Sequence, residues 1–312
     1  MQKADYIKAD YGPLRDTVYG VGFHWTTWTV RQDGSRLPFP EAVERFDVKA
    51  FVDQAREAGA GHVLLTTTHA DHTMPCPNPE VDRLIAGRTC KRDLIMEIAD
   101  GLNRAGIRLM LYYNHGVYNP RPDAHQDPEW QKACGATDKD RGRYYDNYCR
   151  VLGWMGRHYG SKVIAWWLDS GYEHIKFADT PWDRFTAAAK EGFRGRLVTY
   201  NSGVDNLTSY TPFQDYWAGE LSGLYFRPKG RETPTGLPWY AFCSWHPYQW
   251  GIDSENKDKV LPPIDPEQVV ELLKAFRACG GAVTFNLLCH QDGHVPEKEM
   301  AVMREVRKRI RL

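Results

Sequence analysis

KVIAWWLD, Lys162–Asp169, is the stretch on which the fold turns. Val163 to Leu168 run without a polar break, and an aspartate ends the run. The run is too short for an ordinary buried helix, and it is rich in β-branched and aromatic residues. A strand can be apolar on alternate and intervening positions alike only when both of its faces are covered. That describes a parallel sheet flanked by helices, whose strand ends carry the chemistry.

Similar runs recur in both directions along the chain. They are TVYGVGFHW (17–25), HVLLTTTH (62–69), RLMLYYN (108–114), RLVTYN (196–201), DYWAGE (215–220), WYAFCS (239–244) and AVTFNLL (282–288). Helical patterns lie between them: FDVKAFVDQAREAGA, KRDLIMEIADGLNRAG, RYYDNYCRVLGWMGRHYG, WDRFTAAAKEGF, DPEQVVELLKAFRACGG and the closing PEKEMAVMREVRKRIRL. Leu94, Ile98 and Leu102 keep helical spacing, and Gly106 stops that segment. Eight strands with intervening helices predict an α/β fold, a (β/α)8 TIM-like barrel, as a single catalytic domain over residues 1–312. The helix after the fifth strand is weak, and loop replaces the one after the sixth. A doubly wound open sheet is the alternative architecture, but no Gly-rich nucleotide motif accompanies it.

Composition narrows the function. Lys+Arg and Asp+Glu are 40 each, which gives no electrostatic reason to expect nucleic acid or an anionic membrane as partner. No apolar run approaches the ~20 residues that span a bilayer. The N-terminal MQKADYIKADYG lacks the apolar core of a secretory signal. Seven dispersed cysteines with no CxxC pair fit free thiols. These features lead to the expectation of a cytoplasmic protein with no cofactor and no metal; self-association into a homo-oligomer is left open. The 11 Trp and 17 Tyr serve a core or a carbohydrate pocket equally well, since both rings pair an apolar face with a polar edge.

The strand ends deliver His24 and Trp25, His69 and Asp71, Tyr112 to His115, Asp169, Asn201, Glu220, Ser244 to His246, and Asn286. Asp169 and Glu220 end different strands. Paired carboxylates are what glycosidic cleavage needs, one at the anomeric carbon and one to protonate the leaving oxygen. Either could instead cap a helix or pair with an arginine. The stretch LLTTTHADHTM (64–74) offers a rival reading. It approximates the HxHxDH pattern of a metal-dependent hydrolase through His69, Asp71 and His72, but Thr67 replaces the first ligand.

Taken together, these segments resemble glycoside hydrolase family 29, the retaining α-L-fucosidases, over most of the chain. GFHWTTW matches the family's first strand ending in His-Trp-Gly, and FDVKAFVDQAREAGA its next helix. LTTTHADHT matches LTxKHHDGF, and RDLIMEIADGLNRAGIRLMLYYN matches a helix–strand unit ending in LYYS. AWWLDSG matches LLWFDG, DYWAGE matches DYxTPE, and GGAVTFNLLCHQDG matches GGNLLLNVGPxxDG. The resemblance implies Asp169 as nucleophile, Glu220 as acid/base, His24 and His69 as ligands of sugar hydroxyls, and Tyr112 or Tyr113 beside the nucleophile. Asn201 takes the place of a family asparagine. Trp25, Trp217 and Trp245 are candidates to stack on the sugar.

The chain also departs from the family. Ala70 stands for the second histidine of KHHDGF, and His72 stands for its glycine. Asn201-Ser202-Gly203 replaces Asn-Asp-Arg. Trp239-Tyr240 replaces a Trp-Glu element, and the usual C-terminal β-sandwich has no counterpart. The expectation is therefore a retaining exo-glycosidase acting on α-L-fucosides or a stereochemically related sugar. The alternatives are a metal-dependent hydrolase and a non-catalytic carbohydrate-binding barrel.

Overall fold

The structure is a computed structural model that describes residues 6–69, 71–116, 127–246, 249–259 and 261–310. All eight expected strands form: β1 (Tyr19–Phe23), β2 (His62–Thr66), β3 (Arg108–Tyr113), β4 (Val163–Leu168), β5 (Leu197–Tyr200), β6 (Glu220–Leu221), β7 (Tyr240–Ser244) and β8 (Ala282–Leu287). They make one parallel sheet in the order β5-β4-β3-β2-β1-β8-β7-β6. Parallel pairing brings the C-terminal ends of all strands to one edge. Seven of the eight match the sequence reading to within a few residues.

The sixth strand departs from it. The sequence predicts pairing over 215–220, but only Glu220–Leu221 enters the ladder. The preceding residues make other bonds. The buried Asp215 carboxylate accepts from Val198 N at 2.8 Å and pairs with Lys190 at 2.8 Å, while Asp215 N donates to Val198 O at 2.8 Å. Thr199 Oγ1 donates to Tyr216 O at 2.6 Å. These bonds hold the segment against β5, and Gly219 then turns the chain at φ +58°. A Cβ there would lie 2.0 Å from Tyr240 O, so no larger residue fits the turn that aims Glu220.

The helices start where the sequence puts an aspartate. Asp47, Asp93 and Asp265 each accept a backbone N–H of the first turn of the helices Val48–Glu57, Leu94–Arg104 and Pro266–Ala278. No helix lies between β5 and β6 or between β6 and β7. Among the described residues no helix is long and apolar enough to cross a membrane. All seven cysteines are free.

Strand alternation divides the buried residues into two cores. Val21, Phe23, Leu65, Leu111, Trp166 and Phe285 face the helices. Leu64, Met110, Trp167, Tyr216, Tyr240 and Phe242 pack on the other face of the sheet. On that inner face lies His62, whose ring nitrogens meet Thr17 at 2.7 Å and Thr284 at 2.6 Å. Burial pushes its pKa down to about 3. Arg196 is fully buried at the N-terminal end of β5. It donates to the carbonyls of Gly156, Gly160, Val163, Ala189 and Glu191, tying β4 and β5 to two helices.

Candidate active site

The strand ends bring Tyr112 and Asn114, Asp169, Asn201, and Glu220 together around the Asp169 carboxylate. Asp169 is buried, and its carboxylate accepts three hydrogen bonds. Tyr112 Oη donates to Oδ2 at 2.5 Å, Asn114 Nδ2 to Oδ2 at 2.9 Å, and Asn201 Nδ2 to Oδ1 at 2.9 Å. Both amides are oriented by their own loops. Asn114 Oδ1 accepts from Gly116 N at 2.8 Å and Asn201 Oδ1 from Gly203 N at 2.9 Å, which leaves each NH2 group turned to the carboxylate.

The Asn201 NH2 group also donates to Glu220 Oε2 at 2.7 Å. One nitrogen thus bridges the two acids. Contacts of 2.9 and 2.7 Å to a single atom cap the distance between the two carboxylate oxygens at about 5.6 Å. Burial first, and then the negative charge of Asp169, push the Glu220 carboxyl up to about 7; the Asn201 hydrogen bond opposes them. No lysine or arginine among the described residues pairs with either acid. Glu220 is therefore half protonated near neutrality and can give or take a proton there.

The chain leaves Asp169 through a strained turn. Ser170 sits at φ +65°, a left-handed conformation rare for serine. Gly171 follows, where a Cβ would lie 2.4 Å from Asn201 O. The turn brings Tyr172 N to Asn201 O at 3.0 Å, and the phenol of Tyr172 is raised first by the charge of Asp169.

His24, His69 and Tyr112 form the other wall. His24 meets His69 edge-on at 4.5 Å and Tyr112 at 5.2 Å between ring centroids. Tyr112 stacks on Trp167 at 5.1 Å, with the planes 17° apart. Trp250 lies 6.1 Å from His24 and 4.9 Å from Phe242. Its backbone oxygen accepts from Asn286 Nδ2 at 2.7 Å. Six of the ten sequence-derived site residues thus converge: Asp169, Glu220, His24, His69, Tyr112 and Asn201.

The other four do not. Trp25 packs against Phe39 and Phe46 in the outer core, and its indole donates to Gln291 O. Tyr113 bonds His115 and packs against Tyr148 and Trp166. Trp217 lies between Phe226 and Trp239. Trp245 stacks on Phe285. The physical reason is the two-residue repeat of a strand: Trp25 neighbours inward His24, Tyr113 neighbours inward Tyr112, and each must point the other way. Asn114, which the sequence offers only as one of the strand-end residues, joins the site, as do Tyr172 and Trp250, which the sequence does not single out. Asn114 shares the parity of Tyr112 and was detectable; Trp250 sits in a loop with no periodicity to read.

His69, Asp71 and His72 are not brought into one ligand set. His69 turns to His24 and Tyr112, Asp71 accepts from Arg88 and Thr73, and His72 stacks on Trp130 at 5.1 Å beside Asp127. Among the described residues no group of three His, Cys, Asp or Glu side chains is placed to hold a metal ion. Ala70, the departure next to His69, lies outside the described residues.

Comparison with known proteins gives the family and the fold. The α-L-fucosidase family model matches residues 15–310. α-L-Fucosidase isoenzyme 1 from Paenibacillus thiaminolyticus superposes with a TM-score of 0.70 at 20% identity, over 97% of this chain and 75% of that one. The α-L-fucosidase AlfC from Lactobacillus casei, in complex with α-L-fucose product, gives 0.66 at 17% identity, over 97% and 100%. An endo-fucoidan hydrolase of glycoside hydrolase family 107 gives 0.71 at 14% identity, over 96% and 93%. Likenesses this distant speak for the fold. A search of curated sequences finds no match.

Proposed function

The chain belongs to the α-L-fucosidase family and is a glycoside hydrolase, and from that premise we propose that it is a retaining exo-glycosidase using Asp169 and Glu220. Its substrates are α-L-fucosides or glycosides of a stereochemically related sugar. Asp169 attacks the anomeric carbon as the bond to the leaving oxygen breaks, and Glu220 gives that oxygen its proton. Water then attacks the glycosyl-enzyme while Glu220 takes a proton from that water, and Asp169 leaves as carboxylate.

The observation that carries this reading is the Asn201 amide shared by both acids. It caps the separation of the two oxygens at about 5.6 Å, which is compatible with the ~5–5.5 Å spacing of retaining enzymes and short of the ~6.5–9.5 Å that inversion needs for an intervening water. Each partner of Asp169 donates to it, which suits an oxygen that must act with its lone pair. Glu220 near 7 suits a group that is acid in one step and base in the next. His24 and His69 offer ring nitrogens to sugar hydroxyls, and Trp250, packed on Phe242, offers apolar surface beneath the ring.

The test is the anomer first released from an aryl α-L-fucoside, followed by proton NMR before mutarotation. Retention releases the α anomer. Initial release of the β anomer would overturn the double displacement, and an inert fucoside beside a hydrolysed stereochemical relative would move the sugar assignment.

A further inference from the structure

We propose that Glu299 is a positioning residue: acting through His246, it fixes the stance of Trp250 against the sugar pocket and so sets how tightly the sugar is held. This rests on the glycosidase reading above. Trp250 is half-buried and lies 6.1 Å from His24 and 4.9 Å from Phe242 between ring centroids. His24 in turn meets Tyr112, whose hydroxyl donates to Asp169. The contacts therefore run without a break from Trp250 to the nucleophile.

The backbone at Trp250 belongs to no helix or strand, and polar bonds fasten it to the sheet. Asn286 Nδ2, near the end of β8, donates to Trp250 O at 2.7 Å. Ser244 Oγ, the last residue of β7, donates to His246 O at 2.7 Å and to Gln249 O at 3.2 Å. Gln249 N donates to His246 O at 3.0 Å, and Ile252 O accepts from Val30 N at 3.1 Å. Gln249 and Ile252, on either side of Trp250 in the chain, line a cavity of about 910 Å3 together with His246 and Glu299, whereas Trp250 is not part of its wall. A segment bordered by open space on one side has fewer packing contacts to hold it, so its polar anchors decide where it stands.

Glu299 is the anchor that no local rule requires. It sits in the first turn of the C-terminal helix Glu297–Ile310, yet it is only 3% exposed. A buried carboxyl is costly unless its oxygens are engaged. Oε2 accepts from Leu288 N at 2.6 Å, just past β8, and Oε1 lies 3.4 Å from His246 Nε2. Burial pushes the Glu299 carboxyl up, and His246 and the Leu288 N–H draw it down. The other ring nitrogen of His246, Nδ1, is buried with no hydrogen-bond partner among the described residues, so Glu299 is the polar contact that orients the ring. One carboxyl thus joins the C-terminal helix to the ends of β7 and β8, and both of those ends hold the segment that carries Trp250. A tie that served stability alone would do as well with a packed apolar pair; a polar pair selects one arrangement of the loop.

In the hydrolysis of an aryl α-L-fucoside, the inhibition constant Ki of L-fucose reads the hold on the sugar and kcat reads the chemistry. His246→Leu leaves the bond from Leu288 N to Glu299 intact; it should raise Ki about tenfold with kcat within about threefold of the parent. Glu299→Leu should do the same, and should it not fold, His246→Leu carries the test alone. Glu299→Gln keeps an acceptor for Leu288 N and a polar group toward His246, so its Ki should stay within about threefold of the parent. Trp250→Ala should raise Ki about tenfold by itself, and adding His246→Leu to it should change Ki by less than about twofold. An unchanged Ki in His246→Leu, a loss confined to kcat, or the same tenfold rise on top of Trp250→Ala would overturn the positioning role and leave the glycosidase reading standing. A parent that hydrolyses neither aryl α-L-fucosides nor glycosides of stereochemically related sugars would overturn that reading and the positioning role with it.

Discussion

Replacing Glu220 by glutamine should stabilise the protein while it destroys turnover, and the gain should grow as pH rises from about 4.5 to about 7. The carboxyl titrates at about 7 in the folded chain against 4.5 for an ordinary glutamate. Below pH ~4.5 it is protonated in both folded and unfolded states and costs nothing. Between pH ~4.5 and ~7 the folded chain keeps a proton that the unfolded chain releases, so stability falls as pH rises. Above ~7 it is ionised in both states, and the full penalty of a buried charge beside Asp169 is present. That gap corresponds to about 3 kcal/mol at 1.36 kcal/mol per pH unit, and partial solvent access brings the expectation to about 2–3 kcal/mol. Glutamine cannot ionise, and its carbonyl oxygen can still accept from Asn201. Urea unfolding of parent and Glu220→Gln at pH 5 and pH 8 reads the difference directly. The variant should exceed the parent by less than about 1 kcal/mol at pH 5 and by about 2–3 kcal/mol at pH 8. A gain that does not depend on pH, or a loss at both, would refute the reasoning that Glu220 is held above its ordinary range by burial and by Asp169.

Three further outcomes follow from the same geometry. Asn201→Ala removes the donor that holds Glu220 down, so the alkaline limb of kcat/KM should move above pH 7 while kcat falls on the order of 10–100-fold; a limb that moves to lower pH would contradict the bridge. Tyr112→Phe keeps the stack on Trp167 but removes one donor to Asp169, so kcat/KM should fall roughly 10–100-fold with thermal stability nearly unchanged. Arg196→Met removes five hydrogen bonds to backbone carbonyls below β4 and β5, of which the Ala189 and Gly156 oxygens keep other donors, so unfolding free energy should drop by about 3 kcal/mol in urea titration.

Most of the fold can be read from apolar runs that end in one polar residue. VIAWWL is such a run, and β4 occupies it from Val163 to Leu168. The sixth strand was harder to bound, because DYWAGE reads as a pairing strand while its Asp215 side chain ties the segment to β5 and Gly219 breaks it. The two acids were visible because each ends a strand, and inward parity agrees for Asp169, Asn201, Tyr112 and His24. Parity was also the unused signal: Trp25, Tyr113, Trp217 and Trp245 lie on odd positions beside inward even ones, and all four are core. Composition could not separate a core tryptophan from a sugar platform, and Trp250, which does border the pocket, comes from a loop whose path no local pattern encodes.

The central claim is that Asp169 becomes covalently bonded to the sugar. Incubation with 2-deoxy-2-fluoro-α-L-fucosyl fluoride slows release of the intermediate and allows it to accumulate, and mass spectrometry of the digested protein locates it. The account predicts one added fluorosugar, carried by the peptide that contains Asp169 and lost when Asp169 is replaced by alanine. Steady turnover of a natural fucoside with no adduct on the protein, or an adduct on any other residue, would contradict it.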